Sequence, residues 1–201
     1  MLFLWKERKK MATTTDKTLY GVEQVDIKNL LSTIAEDASS TEYSIDNPQD
    51  VGITAVYIDG TRKELHGGDD LIAVIEEADK LLGFDINLKV AQLMPEVDET
   101  ICGGVATPAS GQWTSPISDA EEAYPFYMYV WIKNYTESDS RSVQDGYIKF
   151  TFPFCTGRRS SQDHSQQNFG SPSYTIEARR NESDSEDIQP AMTYAAAESI
   201  S

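Results

Sequence analysis

The stretch YPFYMYVWIKNY, residues 124–135, alternates two sets of bulky side chains. Phe126, Met128, Val130 and Ile132 fall on one face of an extended chain, and Tyr127, Tyr129, Trp131 and Lys133 on the other. A period of two sustained over this length predicts a strand with one wholly apolar face. Aromatic and β-branched residues favour that conformation. The mixed second face suits an interface or a surface on which sugars or bases stack.

Working outward, the same pattern recurs on both sides. YIKFTFPF (147–154) and SPSYTIEARR (171–180) predict two later strands, with TESDSRSVQDG (136–146) as a turn region. Upstream, GFDINLKVAQL (83–93) places Phe84, Ile86, Leu88 and Val90 on one face of another strand. Between them MPEVDETICGG (94–104) reads as a short helix. Pro95 suits its first turn, Glu96 and Asp98 sit near the positive end of its dipole, and Gly103-Gly104 ends it. Residues 103–122 form a long loop rich in Gly, Pro, Ser and Ala, a length that usually signals function. GITAVYIDGTRKELHGG (52–68) predicts a hairpin turning at Asp59-Gly60, with a return strand from Thr61 to His66. Leu71, Val74, Ile75, Ala78, Leu81 and Leu82 have helical spacing, so residues 70–82 predict a helix, although Leu71 to Ile75 also suits a buried strand. LYGVEQVDIKNL (19–30) reads as a strand or the start of a surface arm, and DNPQD (46–50) as a turn.

The whole is mainly β: a β-sandwich or barrel-like domain over residues 19–182, with one short flanking helix and one long loop. Residues 1–18 are a leader. Within it, KERKK lies just ahead of Met11 and can be encoded by a purine run resembling a ribosome-binding sequence, so Met11 is a candidate start and residues 1–10 a mis-start. Residues 183–201 read as a mobile acidic tail.

Thirty-three acidic residues against 17 basic ones give a formal charge of −16. Such a chain lacks the basic face that releases counterions from nucleic acid, and it offers an anionic membrane nothing. Its two cysteines, Cys102 and Cys155, make no disulfide framework and no metal spacing.

The densest chemistry lies in CTGRRSSQDH, Cys155 to His164. A cysteine phosphatase needs an arginine six positions after the thiolate; Ser161 stands there, and Arg158 and Arg159 are too close. Cys155 and His164 remain conceivable as a nucleophile–base pair, but the expectation is a cysteine ending a strand, followed by a solvated polar loop. His66 and His164 are the only histidines. Asp69-Asp70 and Glu76-Glu77 lack the alternation of a calcium loop, and the Gly-Gly pairs match no phosphate-binding pattern. No catalytic, cofactor or metal residues are assigned, and no enzyme is expected.

The order of these segments resembles the major tail protein of long-tailed bacteriophages, the tail tube subunit. The resemblance rests on ELHGGDD, LLGFDINLKVAQLMPEVDETICGG, the long loop, YPFYMYVWIKN, GYIKFTFPFCTG and SPSYTIEARRNES, over roughly residues 43–182. It implies a virion protein whose hexameric rings stack into a tube for genome delivery, after assembly in the host cytoplasm. Its implied partners are further copies of itself, a tape measure protein, tail-terminator and tip proteins, and double-stranded DNA in transit without specific binding. The acid excess suits a conduit that must not hold DNA. In that setting Val105, Trp113 and Ile117, on the long loop, are the candidate inter-ring contact; the lumen-facing residues are unassigned. Rival readings are a tail-terminator or other head–tail joining protein, and a monomeric β-sandwich that binds carbohydrate through the Tyr/Trp strand or Trp113.

Overall fold

A computed structural model describes residues 18–30, 41–67, 70–118, 121–138, 141–165, 168–180 and 190–200. The proposed mis-start at residues 1–10 lies outside the described residues, as do Asp69, Asn181 and the side chains of His66, Asp70 and His164.

The chain is mainly β and sandwich-like. Its strands are β1 (Thr18–Asn29), β2 (Glu42–Ile45), β3 (Pro48–Ile58), β4 (Arg62–Gly67), β5 (Asp70–Glu76) and β6 (Lys80–Val90). The helix α1 (Pro95–Cys102) follows, then β7 (Val105–Thr107), β8 (Gln112–Thr114), β9 (Phe126–Ser138), β10 (Arg141–Ser165), β11 (Asn168–Arg179) and β12 (Thr193–Ala197). The main sheet is antiparallel in the order β2-β1-β9-β10-β11-β6-β3, with β12 added on β10. β10 is long enough to serve both halves. Its stretch up to Cys155 pairs with β9, and its stretch from Cys155 onward pairs with β11. The sheet folds around this shared strand, and one core fills the space between the halves. Val25 and Ile27 of β1 and Phe126, Met128 and Val130 of β9 meet Ile86 and Leu88 of β6, Tyr174 and Ile176 of β11, and Val97 and Ile101 of α1. The edge-on contact of Phe84 with Phe152, centroids 6.3 Å apart, joins β6 to β10 across this core.

The strands expected at 19–30, 83–93, 124–135, 147–154 and 171–180 are present, and α1 starts with Pro95 and ends at Gly103. Gly103 has φ +74, and a Cβ there would meet the Glu121 carbonyl at 2.3 Å, so only glycine closes this helix.

Five expectations are corrected. The turn at Asp59-Gly60 does not fold β3 back on β4. β3 pairs with β6, and β4 pairs with β5 in a separate two-stranded arm. The reason is facial matching: Val51 and Ile53 sit opposite Leu88 and Ile86, whereas Arg62, Lys63 and Glu64 of β4 have no apolar row to offer the core. The chain leaves for the arm at Gly60, where a Cβ would collide with the Glu77 carbonyl, and returns at Glu77, whose N–H donates to the Thr61 carbonyl. Residues 70–82 are therefore β5 and the start of β6, not a helix. A helix there would need to bury its stripe, yet residues 73–82 are exposed.

Residues 103–122 are not structureless. β7 and β8 make a small hairpin around a 3-10 turn at Pro108–Ser110. The supposed polar loop after Cys155 is the second half of β10, and the supposed mobile tail includes β12, registered on Tyr147–Thr151 of β10 with Tyr194 packed on Phe150. An unpaired strand edge captured a five-residue segment that composition alone assigned to solvent.

Candidate functional site

The Cys155–His164 pair does not form. Both residues lie on the single strand β10, nine positions apart, which is roughly 30 Å along an extended chain. Cys155 is buried, and burial pushes its thiol well above the ordinary value, so it supplies no thiolate. Among the described residues no group of three or more His, Cys, Asp or Glu is placed to hold a metal.

The polar cluster that does form was not foreseen. Asp98, in the first turn of α1, is buried beneath β10 and β11. Its carboxylate accepts from the Tyr174 hydroxyl at 2.8 Å and from the Arg159 guanidinium at 3.0 Å. Burial raises the Asp98 carboxyl above its ordinary range, while Tyr174 and Arg159 oppose that shift. Burial and then Asp98 itself push the Tyr174 phenol upward. Cys102 is likewise raised by burial and by the Asp98 charge. The Arg159 guanidinium also lies 5.4 Å from the Trp113 ring, whose N–H donates to the Gly103 carbonyl at 2.9 Å. These contacts latch helix and small hairpin to the sheet. Asp98, Tyr174, Arg159 and Trp113 thus hold one another within the fold, although the Arg159 Nε is buried without a hydrogen-bond partner among the described residues. In the sequence, Asp98 carried only the signal of an acid near a helix start.

The Tyr/Trp face of β9 is closed. Tyr127, Tyr129 and Trp131 are 7%, 6% and 1% exposed. The Trp131 N–H donates to buried Asp26 at 2.6 Å, and the Lys149 ammonium sits 3.8 Å from the Tyr129 ring centre. The face offers no open stacking platform for sugar or base. The candidate contacts on the former loop separate: Trp113 is half-buried against its own domain, whereas Val105 and Ile117 are exposed.

The surface best suited to an interaction is the half-sheet β3-β6-β11 with the second half of β10. Its inner face belongs to the core. Its outer face carries short polar side chains in register: Gly52 and Thr175 flank Asn87, and Thr54 and Glu177 flank Asp85. Charges there are matched. Arg179 bonds to Asp85 at 2.7 Å and to Glu177 at 3.1 Å, Lys89 stands opposite Asp50, and Arg158 stands opposite Thr175. Both lateral edges of this half-sheet lack a ladder among the described residues. β3 pairs only with β6, and from Thr156 to Ser165 β10 pairs only with β11. Successive strands are antiparallel, so β3 and the second half of β10 run in opposite directions.

Comparison with family models and with curated proteins gives no match to this chain.

Proposed function

We propose that the chain is a structural subunit that joins copies of itself edge to edge into closed rings, which stack as a tube of the kind that delivers DNA from long-tailed phages. The observation that carries this reading is the pair of open edges on one half-sheet. They are of comparable length and opposite direction. Laying β3 of one copy beside Thr156–Ser165 of β10 in the next therefore continues an antiparallel ladder. Such a contact is heterologous, and a heterologous contact makes a ring when its rotation closes. Two unpaired edges of this length are an aggregation hazard in a monomer and an asset in a ring.

In that ring the covered face of the half-sheet points outward, and the polar face lines the bore. The resemblance alone suggested an acidic wall. On this half-sheet the acids Asp50, Asp85 and Glu177 are instead accompanied by Lys89, Arg158 and Arg179. Short polar groups of mixed charge give passing DNA little to grip, and the acid excess of the whole chain, at −16, opposes binding from solution. The tape measure, terminator and tip partners follow from the same resemblance, as does a place in the virion tail.

Electron microscopy of the purified full-length protein tests the reading. Six-fold rings and hollow tubes are expected. Rings that never stack would favour the tail-terminator reading. A monomer at every concentration and ionic strength would overturn self-assembly altogether.

A further inference from the structure

The open edge of β10 is not a plain strand. Opposite β11 it runs regularly from Cys155 to Arg159, and then the register shifts: Arg159 faces Tyr174, yet Ser161 faces Ser173. Ser160 is therefore an extra residue, a β-bulge. It moves every later side chain to the other face. Without it the outer face would carry Ser160 and Gln162 beyond Thr156 and Arg158, in place of Ser161. The other open edge has a landmark of the same kind. On β3, Pro48 faces Val90 and Asp50 faces Lys89, so Gln49 is the extra residue, and its side chain accepts from the Ser171 hydroxyl at 2.8 Å.

The bulge on β10 is held by α1. Ile101 and Cys102 follow Asp98 by three and four positions, so the three share one face of the helix, and each reaches the edge strand. The Asp98 carboxylate accepts from the Arg159 guanidinium at 3.0 Å. Ile101 lies so close to Gly157 that a Cβ there would meet its Cγ2 methyl at 2.5 Å. The Arg159 backbone amide donates toward the Cys102 thiol, opposing the rise that burial and Asp98 impose on it. Gly157 and Arg159 are the last two inward-facing positions before the bulge. The helix therefore grips the strand where its register changes. A ladder between two featureless edges slips by two residues at little cost, because its faces still match. A bulge on each edge removes that degeneracy, since a slip changes the row that each irregularity meets. In a closed sheet the register also sets strand tilt and diameter.

We infer that the Ser160 bulge, held by α1 through Arg159, selects the one register in which β3 of a second copy pairs with the β10 edge, so that Asp98 and Cys102 are positioning residues for ring closure. Neither residue touches the second copy. They act through the backbone of the edge strand, which they hold in its bulged form. The inference rests on the edge-to-edge reading and adds to it what fixes the register and, through the register, the size of the ring.

Disulfide capture in the full-length protein reads the register. Thr54→Cys on β3 is combined in turn with Thr156→Cys, Arg158→Cys or Ser161→Cys, all exposed outer-face positions. Assembled samples are oxidised and inter-copy links are measured. Each pair is made in the otherwise wild-type chain, with Asp98→Asn, with Cys102→Ala and with Ser160 deleted. Burial disfavours the Asp98 charge, and asparagine keeps an acceptor for the Tyr174 hydroxyl, so Asp98→Asn should keep the wild-type circular dichroism. In the wild-type background one link should exceed the other two about tenfold or more. Asp98→Asn and Cys102→Ala should spread the links over slipped registers and broaden the ring diameters seen by electron microscopy. Deleting Ser160 should move the favoured link. Wild-type rings with no dominant link would overturn the inference while leaving edge-to-edge assembly intact. So would the wild-type pattern kept after Asp98→Asn or after deletion of Ser160. Should Asp98→Asn fail to fold, Cys102→Ala and the deletion decide the question in the same way. A wild type that makes neither links nor rings would instead remove the reading on which the inference rests.

Discussion

The chain sends two hairpins away from its sandwich, and they are held in opposite ways. The β7–β8 hairpin is fastened: Trp113 bonds to the Gly103 carbonyl and lies against Arg159, which in turn holds buried Asp98. The β4–β5 arm is joined to the sandwich at its root, where Gly60 donates to Asp79 at 2.7 Å and Glu77 donates to the Thr61 carbonyl. The first spends its aromatic residue on its own domain. The second keeps Leu65, Val74 and Ile75 in solvent. An exposed-looking tryptophan in a Gly/Pro-rich segment is thus a poor guide to an interface when a buried ion pair lies within reach.

This contrast should appear first as stability. Arg159→Met leaves the Asp98 carboxylate buried beside Tyr174 alone, and the loss should be about 3 kcal/mol at pH 8 by urea denaturation, near the low end for removing one partner of a buried pair. The pH dependence has a definite sign. The folded chain already holds the Asp98 proton more tightly than the ordinary value of 3.8. That contribution is full below 3.8 and is lost as pH rises through the folded value. Removing Arg159 raises the folded value further, so the variant should be least impaired in mild acid and most impaired at pH 8. A penalty that grows as pH falls would break the latch interpretation.

Trp113→Ala comes next. It removes a half-buried ring and one hydrogen bond, a loss of about 2 kcal/mol, read as a lower melting temperature of the monomer. An unchanged melting temperature would return Trp113 to the role of a free contact residue. The smallest effect belongs to the arm. Leu65→Ala with Ile75→Ala should alter monomer stability by no more than about 0.5 kcal/mol, the usual range for surface positions. A larger loss would show that the arm is packed on its own domain and would erase the contrast between the hairpins.

The strands of the sandwich were legible because their apolar faces repeat every two residues and each meets the core: Phe126 to Ile132 on β9 and Phe84 to Val90 on β6 are the clearest cases. α1 was legible from Pro95 and Gly103. What failed has one physical cause. Residues 70–82, 155–165 and 193–197 are strands whose partners, not their own patterns, decide their state. β5 pairs with a charged β4, the polar half of β10 is held by β11, and β12 completes an edge. Local sequence carries little trace of such pairing. Asp98 and Arg159 were missed as partners for a related reason. They are 61 residues apart, and only the packing of α1 on β10 brings them together.

Hydrogen exchange of the assembled and unassembled protein addresses the open edges most directly. Amides along 48–58 and 156–165 that face away from their existing partners have no ladder among the described residues of the single copy, so they should exchange quickly there. They should become strongly protected in the assembled form, while the β1–β9 ladder stays as it was. Protection confined to other segments, with both edges still exchanging freely, would contradict edge-to-edge assembly.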